Sequence, residues 1–267
     1  MTKAKILDIH GKEKGTIELP GAFSEKIRED MVAKVIEAKK FGQPYSPSPV
    51  AGKQYSARGK IKHRRHVWKS SYGRGMSRIP RKIHSRKGSQ FNWIGASVPF
   101  ARGGMRAHPP KIISRMGKLK INKKEFILVL KSALAATADE KKISERYETL
   151  KGKKIKNIPF VVEGKITELK TKEINSSLKN ILGNLYDIAI KKKSVRAGKG
   201  KMRGRKYKVS AGMLFVVGKS ENIKTGSFDV RRANNVGVND LAKGGLGRLT
   251  IYTENAIKDL NERFKGK

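Results

Sequence analysis

Cysteine is absent from the 267 residues. That excludes disulfide frameworks, thiolate-held zinc and thiol nucleophiles, and it fits a reducing compartment. Long apolar runs are absent too. None approaches the ~20 residues of a membrane helix, and the opening Met1-Thr-Lys-Ala-Lys5 leads into no apolar stretch of the signal-peptide kind. Aromatic residues are sparse at 7% and apolar ones make up 37%, low values that still exceed those of a wholly disordered chain. Negative charge is scarcest of all, with 22 Asp+Glu against 62 Lys+Arg and a net charge of +40. The first expectation is therefore a soluble intracellular protein of one or two domains with a polyanionic partner and no membrane contact.

The acids are missing from particular places. Between Glu37 and Glu125 there is none in 87 positions, while 23 Lys and Arg fall there. A second acid-free stretch, Ile188–Ser220, carries 11 basic residues. The other 147 residues hold 28 basic and 22 acidic side chains, an ordinary balance for a globular domain. A solvated helix face normally mixes both signs. Complete separation points instead to segments that lie against phosphates, where each cation gains a partner and condensed counterions are released.

The ordered grammar is that of an α/β domain. Short strands are expected at Ala4–Ile9, Thr16–Leu19, Ile158–Val162, Met213–Val217, Ser227–Val230 and Arg248–Tyr252. Helices are expected over Glu25–Lys40 with Ser24 as cap, after a capping box at Asn122–Glu125, over Thr171–Leu185 and over Thr253–Phe264, with a helical turn at Asn239–Ala242. Apolar runs alternating with amphipathic helices predict a three-layer α/β domain with a mostly parallel sheet, built from residues 1–43 and 111–267. The breaker cluster Gln43–Pro49 opens a different region, residues 44–110, with recurrent glycine and no convincing periodicity. It reads as a long extended basic loop interrupting the domain, able to reach at most ~110 Å as a hairpin. So cationic a segment is expected to order only against its partner.

Within that loop, charge is interleaved with rings and glycine. Arg64-Arg65-His66-Val67-Trp68-Lys69, Tyr72-Gly73-Arg74-Gly75-Met76-Ser77-Arg78 and Phe91-Asn92-Trp93 offer guanidinium planes and aromatic faces together. Folded RNA supplies phosphates for the first and unstacked bases for both. Duplex DNA is usually read by compact modules such as a recognition helix, and no such module is visible. The second segment, Lys191–Lys208, is a basic glycine-rich loop. It fails the dinucleotide spacing because Arg203 stands where a third glycine is needed. Gly218-Lys219-Ser220 resembles the end of a P-loop, but Met213 occupies the place of its first glycine.

Catalysis and metal binding find little support. His63 and His66 have ligand-like spacing but no Cys, Asp or Glu within the loop to complete or orient a site. Carboxylates such as Asp187 and Asp240 are isolated from the cationic surface where chemistry on a nucleic acid would need them. No enzyme, cofactor or metal is expected.

Three strings carry a specific resemblance. Ala51-Gly-Lys-Gln54 with Trp68–Arg81, Arg196–Arg205, and Ala233–Ala242 followed by Gly244–Ile251 occur in the order found in the large-subunit ribosomal protein four family. The chain resembles that family over nearly its whole length, in its archaeal type. The resemblance implies a primary rRNA-binding protein of the cytoplasmic ribosome whose extended loop threads through rRNA and forms part of the polypeptide exit tunnel wall. Carried onto this sequence, Lys53, Arg58, Arg64, Arg65, His66, Trp68, Lys69, Arg81, Lys82, Arg86, Lys87, Arg102 and Arg106 would contact rRNA in the loop. Tyr72, Gly73, Arg74, Gly75, Met76, Ser77 and Arg78 would form the tunnel tip. Arg196, Lys199, Lys201, Arg203 and Arg205 would form a second rRNA-binding segment. Implied partners are large-subunit rRNA, neighbouring large-subunit proteins including the other tunnel-constriction protein, and the nascent polypeptide. The alternatives are an RNA-modifying enzyme with a basic substrate loop and, behind it, a DNA-compacting protein.

Overall fold

The computed structural model describes residues 3–41, 65–67, 70, 72–96, 98–104, 107, 119–150, 155 and 157–265. In chain order the elements are β1 (Lys3–Leu7), β2 (Glu13–Glu18), α1 (Glu29–Phe41), β3 (Arg81–Lys87), β4 (Gln90–Gly95), α2 (Lys123–Ala138), α3 (Glu140–Arg146), β5 (Phe160–Val162) and α4 (Thr171–Leu182). They continue as α5 (Tyr186–Ala189), β6 (Lys193–Val195), β7 (Tyr207–Val209), β8 (Leu214–Val217), β9 (Asp229–Arg232), α6 (Val238–Leu241), β10 (Thr250–Thr253) and α7 (Glu254–Phe264). The chain divides into two compact units, residues 1–37 with 120–267 and residues 38–119.

The first unit is a six-stranded sheet in the order β2-β1-β5-β10-β8-β9. Only the β1–β2 edge pair is antiparallel; every other neighbouring pair is parallel. The central strands β5, β10 and β8 are short and buried throughout, covered on both faces. Their side chains alternate between two cores. Val161, Leu214, Val216 and Tyr252 join one cluster with residues of α1, α2, α6 and α7. Phe160, Val162, Phe215, Val217 and Ile251 join the other with residues of α3, α4 and α5. This is the three-layer α/β domain with a mostly parallel sheet expected from the alternation of apolar runs and amphipathic helices.

Element boundaries differ from the sequence expectation where tertiary contacts intervene. Ser24 ends a short 3-10 turn, Gly21–Ser24, and helix α1 begins four residues after Glu25, at Glu29. The intervening chain is extended, and the Arg28 amide donates to Ser132 Oγ on α2 at 2.7 Å rather than entering a helix. Asn122 does precede α2 and its backbone bonds the Glu125 carboxylate, one half of the expected capping box, but its own side chain makes no capping bond; Glu125 also accepts from Lys34 Nζ at 2.6 Å. Helix α4 stops at Leu182 because Gly183 takes a φ of 49°, and a 3-10 turn follows it. The second unit contains an antiparallel hairpin, β3–β4, where no periodic element was expected. Its first strand, Arg-Lys-Ile-His-Ser-Arg-Lys, has no apolar alternation to betray it.

Candidate nucleic-acid interface

The second unit is organised by rings rather than by a core of acids and bases. Tyr72 lies under two guanidinium groups, those of Arg65 and Arg78, 4.9 and 5.4 Å from the ring centre. Gly73 and Gly75, with φ of 72° and 62°, turn the chain between them. Arg81 at the start of β3 donates to Ser77 Oγ at 2.7 Å, tying the segment before the hairpin to its first strand. Along the hairpin, Arg86 lies over Phe91, its cross-strand partner, at 5.2 Å. Phe91 and Trp93 sit 5.8 Å apart on β4. Cation–π contact lets cations stand close together without carboxylates, and the sequence from 38 to 124 contains none. Arg74, Arg78, Arg86, Lys87 and Arg102 are exposed, while Arg81 and Lys82 are half-buried. Of the other loop residues expected at the interface, Arg65 and His66 are exposed, His66 with a φ of 53°. Lys53, Arg58, Arg64, Trp68, Lys69 and Arg106 lie outside the described residues.

The second basic segment, expected as an irregular loop, is a two-stranded ribbon. Strands β6 and β7 pair Lys193 with Val209, Ser194 with Lys208 and Val195 with Tyr207. A 3-10 turn, Lys199–Arg203, forms its tip between Gly198 and Gly204, both with positive φ. The Arg196 side chain crosses to donate to the Arg205 carbonyl at 3.1 Å, so Arg196 and Arg205 meet at the neck while Lys199, Lys201 and Arg203 fan out from the tip. Eight Lys and Arg occupy Lys193–Lys208. Among the described residues none of the eight has a carboxylate within salt-bridge distance; the ion pairs begin at the foot, with Lys191 and Lys192.

That foot is a densely bonded polar cluster. Arg248, fully buried at the entrance to β10, donates to the carbonyls of Ala211, Gly212 and Met213 where the ribbon rejoins the sheet, and to the carbonyl of Asp240. Its guanidinium also meets Asp229 Oδ2 at 2.6 Å. Asp229 in turn holds Lys191, at the ribbon's other foot, at 2.5 Å and Lys243 at 2.9 Å. Burial works to raise the Asp229 carboxyl, but bonds from Lys191, Arg248 and Lys243 outweigh it and hold it well below the ordinary carboxylate range. Asp229, Arg248 and Lys191 thus hold the foot of the ribbon in place. Sequence reading did not single them out as such, although an arginine immediately before a buried strand signals a paired internal charge.

At the carboxyl ends of β8 and β10, where this architecture commonly binds ligands, three polar groups are bonded to carboxylates of the chain itself. Gly218 donates its amide to Glu221 Oε2 at 2.7 Å, and Thr253 Oγ1 donates to the same oxygen at 2.6 Å. The Lys219 amide donates to Asp259 Oδ2 at 2.6 Å. The two amides that a P-loop reading of Gly218-Lys219-Ser220 would aim at a phosphate are therefore already bonded to carboxylates. Among the described residues no group of His, Asp and Glu is placed to hold a metal ion, and no helix is long and apolar enough to cross a membrane.

The α/β domain thus carries a ribbon whose eight Lys and Arg stand without carboxylate partners among the described residues. The chain belongs to the Ribosomal protein L4/L1 family, whose sequence profile matches residues 17–263. It is 38% identical to large ribosomal subunit protein uL4 of Nanoarchaeum equitans, over 97% of each chain. With uL4 of Methanosphaera stadtmanae it shares 35% identity over 99% of this chain and 98% of that one. With uL4 of Methanocaldococcus jannaschii the identity is 36%, over 98% and 100%. The protein is a non-enzymatic structural constituent of the large ribosomal subunit, and the ribosome is its location.

Proposed function

We propose that the chain is a primary rRNA-binding protein whose residues 44–110 form an extended loop through rRNA, with its tip in the wall of the polypeptide exit tunnel. The observation that carries the reading is the set of unpaired cations on the ribbon, together with a second unit whose sequence contains no acid at all. In the loop, Arg65, His66, Arg81, Lys82, Arg86, Lys87 and Arg102 meet rRNA, as do Lys53, Arg58, Arg64, Trp68, Lys69 and Arg106. Tyr72 to Arg78 face the tunnel, with Arg74 and Arg78 nearest the nascent polypeptide. On the ribbon Arg196, Lys199, Lys201, Arg203 and Arg205 take further phosphates, and neighbouring large-subunit proteins, including the other protein of the tunnel constriction, complete the surroundings. Phosphate contacts position the protein, and RNA shape supplies the specificity.

If about ten phosphates are neutralised, affinity for large-subunit rRNA falls with salt at a log–log slope near −7 to −9. A slope shallower than about −3 would sink the electrostatic account. For the tip, the cysteine-free chain allows a single label: an Arg74→Cys variant, assembled into subunits, is expected to crosslink a stalled nascent chain, and failure to do so would remove the tip from the tunnel wall.

A further inference from the structure

The ribbon has two faces of different chemistry, and among the described residues neither packs against the protein. Directly paired residues of antiparallel strands share a face, and the face alternates at each step. Lys193, Val195, Tyr207 and Val209 therefore lie on one side, and Ser194, Arg196, Lys206 and Lys208 on the other. Three large apolar side chains of the first set are open to solvent: Val195 is 58% exposed, Val209 56% and Tyr207 46%. At the tip, Met202 is 81% exposed. An isolated two-stranded ribbon is marginally stable by itself, and contiguous exposed apolar surface marks an interaction site.

The occupant of the apolar face must accept positive charge as well. The Lys193 ammonium lies 4.1 Å from the Tyr207 ring centre, and Lys206 approaches the same ring at 5.6 Å. An apolar protein surface would bury these cations unpaired, which is costly. The wide, shallow minor groove of an A-form helix instead offers sugar and base edges flanked by phosphates. The opposite face, without a large apolar side chain, suits phosphates alone. We propose that the ribbon is a two-sided wedge: Val195, Tyr207 and Val209 lie on the sugar and base edges of one rRNA helix, while Arg196 and Lys208 hold the phosphates of a second. This rests on the reading of the ribbon as an rRNA-binding segment.

Single cysteines carrying an iron chelate, one per full-length variant, test both layers of the claim by hydroxyl-radical cleavage in assembled subunits. Val209→Cys and Lys208→Cys place the probe on opposite faces. Cleavage of two separate rRNA helices, one from each position, is the expected result. Cleavage of the same nucleotides from both positions, or from Lys208→Cys alone, overturns the wedge and leaves the rRNA-binding reading in place. Silence from both positions overturns that reading, and the wedge with it. In binding to a large-subunit rRNA transcript, Tyr207→Ala is expected to weaken affinity roughly tenfold at every salt concentration with an unchanged slope. Tyr207→Phe should bind as the parent does. Combined Arg196→Gln and Lys208→Gln should make the slope shallower by about 1.5. A Tyr207→Ala effect within about twofold would show that no base or sugar lies on that face.

Discussion

A single buried arginine sets the local energetics at the foot of the ribbon. Arg248 is wholly enclosed, and its charge is tolerable because Asp229 answers it while four backbone carbonyls take the remaining donors. Removing the partner of a buried charge costs more than the pair itself contributes. Asp229→Ala should therefore destabilise the domain by about 3 kcal/mol in urea unfolding. Adding Arg248→Met to it should cost much less than the two single changes summed, because the second removes the charge that the first had orphaned. The same carboxylate fixes the acid limit of the cluster. A carboxyl held below its unfolded value contributes stability that is complete above that value, about 3.9, and is lost as pH falls through the folded one. Amide exchange at Lys191 and Met213 should stay slow as pH falls to the ordinary carboxylate range and quicken only below it; quickening near pH 5 would contradict the arrangement.

At the scale of elements, the ribbon depends on backbone that other residues rarely adopt. Gly204 closes the 3-10 turn at a φ of 75°, in the left-handed region, where a Cβ costs about 1 kcal/mol. Gly204→Ala is expected to speed exchange at the Arg205 amide, which donates to the Gly200 carbonyl, while leaving the melting temperature of the sheet unchanged. The elements also show what sequence can and cannot convey. Buried strands such as Leu214–Val217 and amphipathic helices such as Thr171–Leu182 were legible because a core imposes its period on them. The hairpin β3–β4 and the ribbon were not, since strands with no face against a core carry no such period. The start of α1 slipped because Ser132, more than a hundred residues away, holds the Arg28 amide.

At the scale of the whole molecule, the two cores draw their residues, among the described ones, only from the first unit. A chain in which residues 44–110 are replaced by a short Gly-Ser linker should therefore keep the far-ultraviolet helix signal of the α/β domain and melt within a few degrees of the parent. Loss of cooperative unfolding would mean that the insertion supports the domain. The charge map located both cationic segments in advance, because a missing sign needs no knowledge of structure. Asp229 and Lys243 escaped it, since clamping residues reveal themselves only when distant parts of the chain are brought to one point.

The clamp also determines where mechanical load goes. Arg248 grips the chain leaving the ribbon at Ala211, Gly212 and Met213, and Asp229 holds Lys191 at the chain entering it. A tug on the ribbon from outside is thus shared between both legs, converging on residues that adjoin β9 and β10. The force is delivered to the sheet itself rather than to one exposed hinge, so the ribbon behaves as a bracket anchored in the frame and not as a tether.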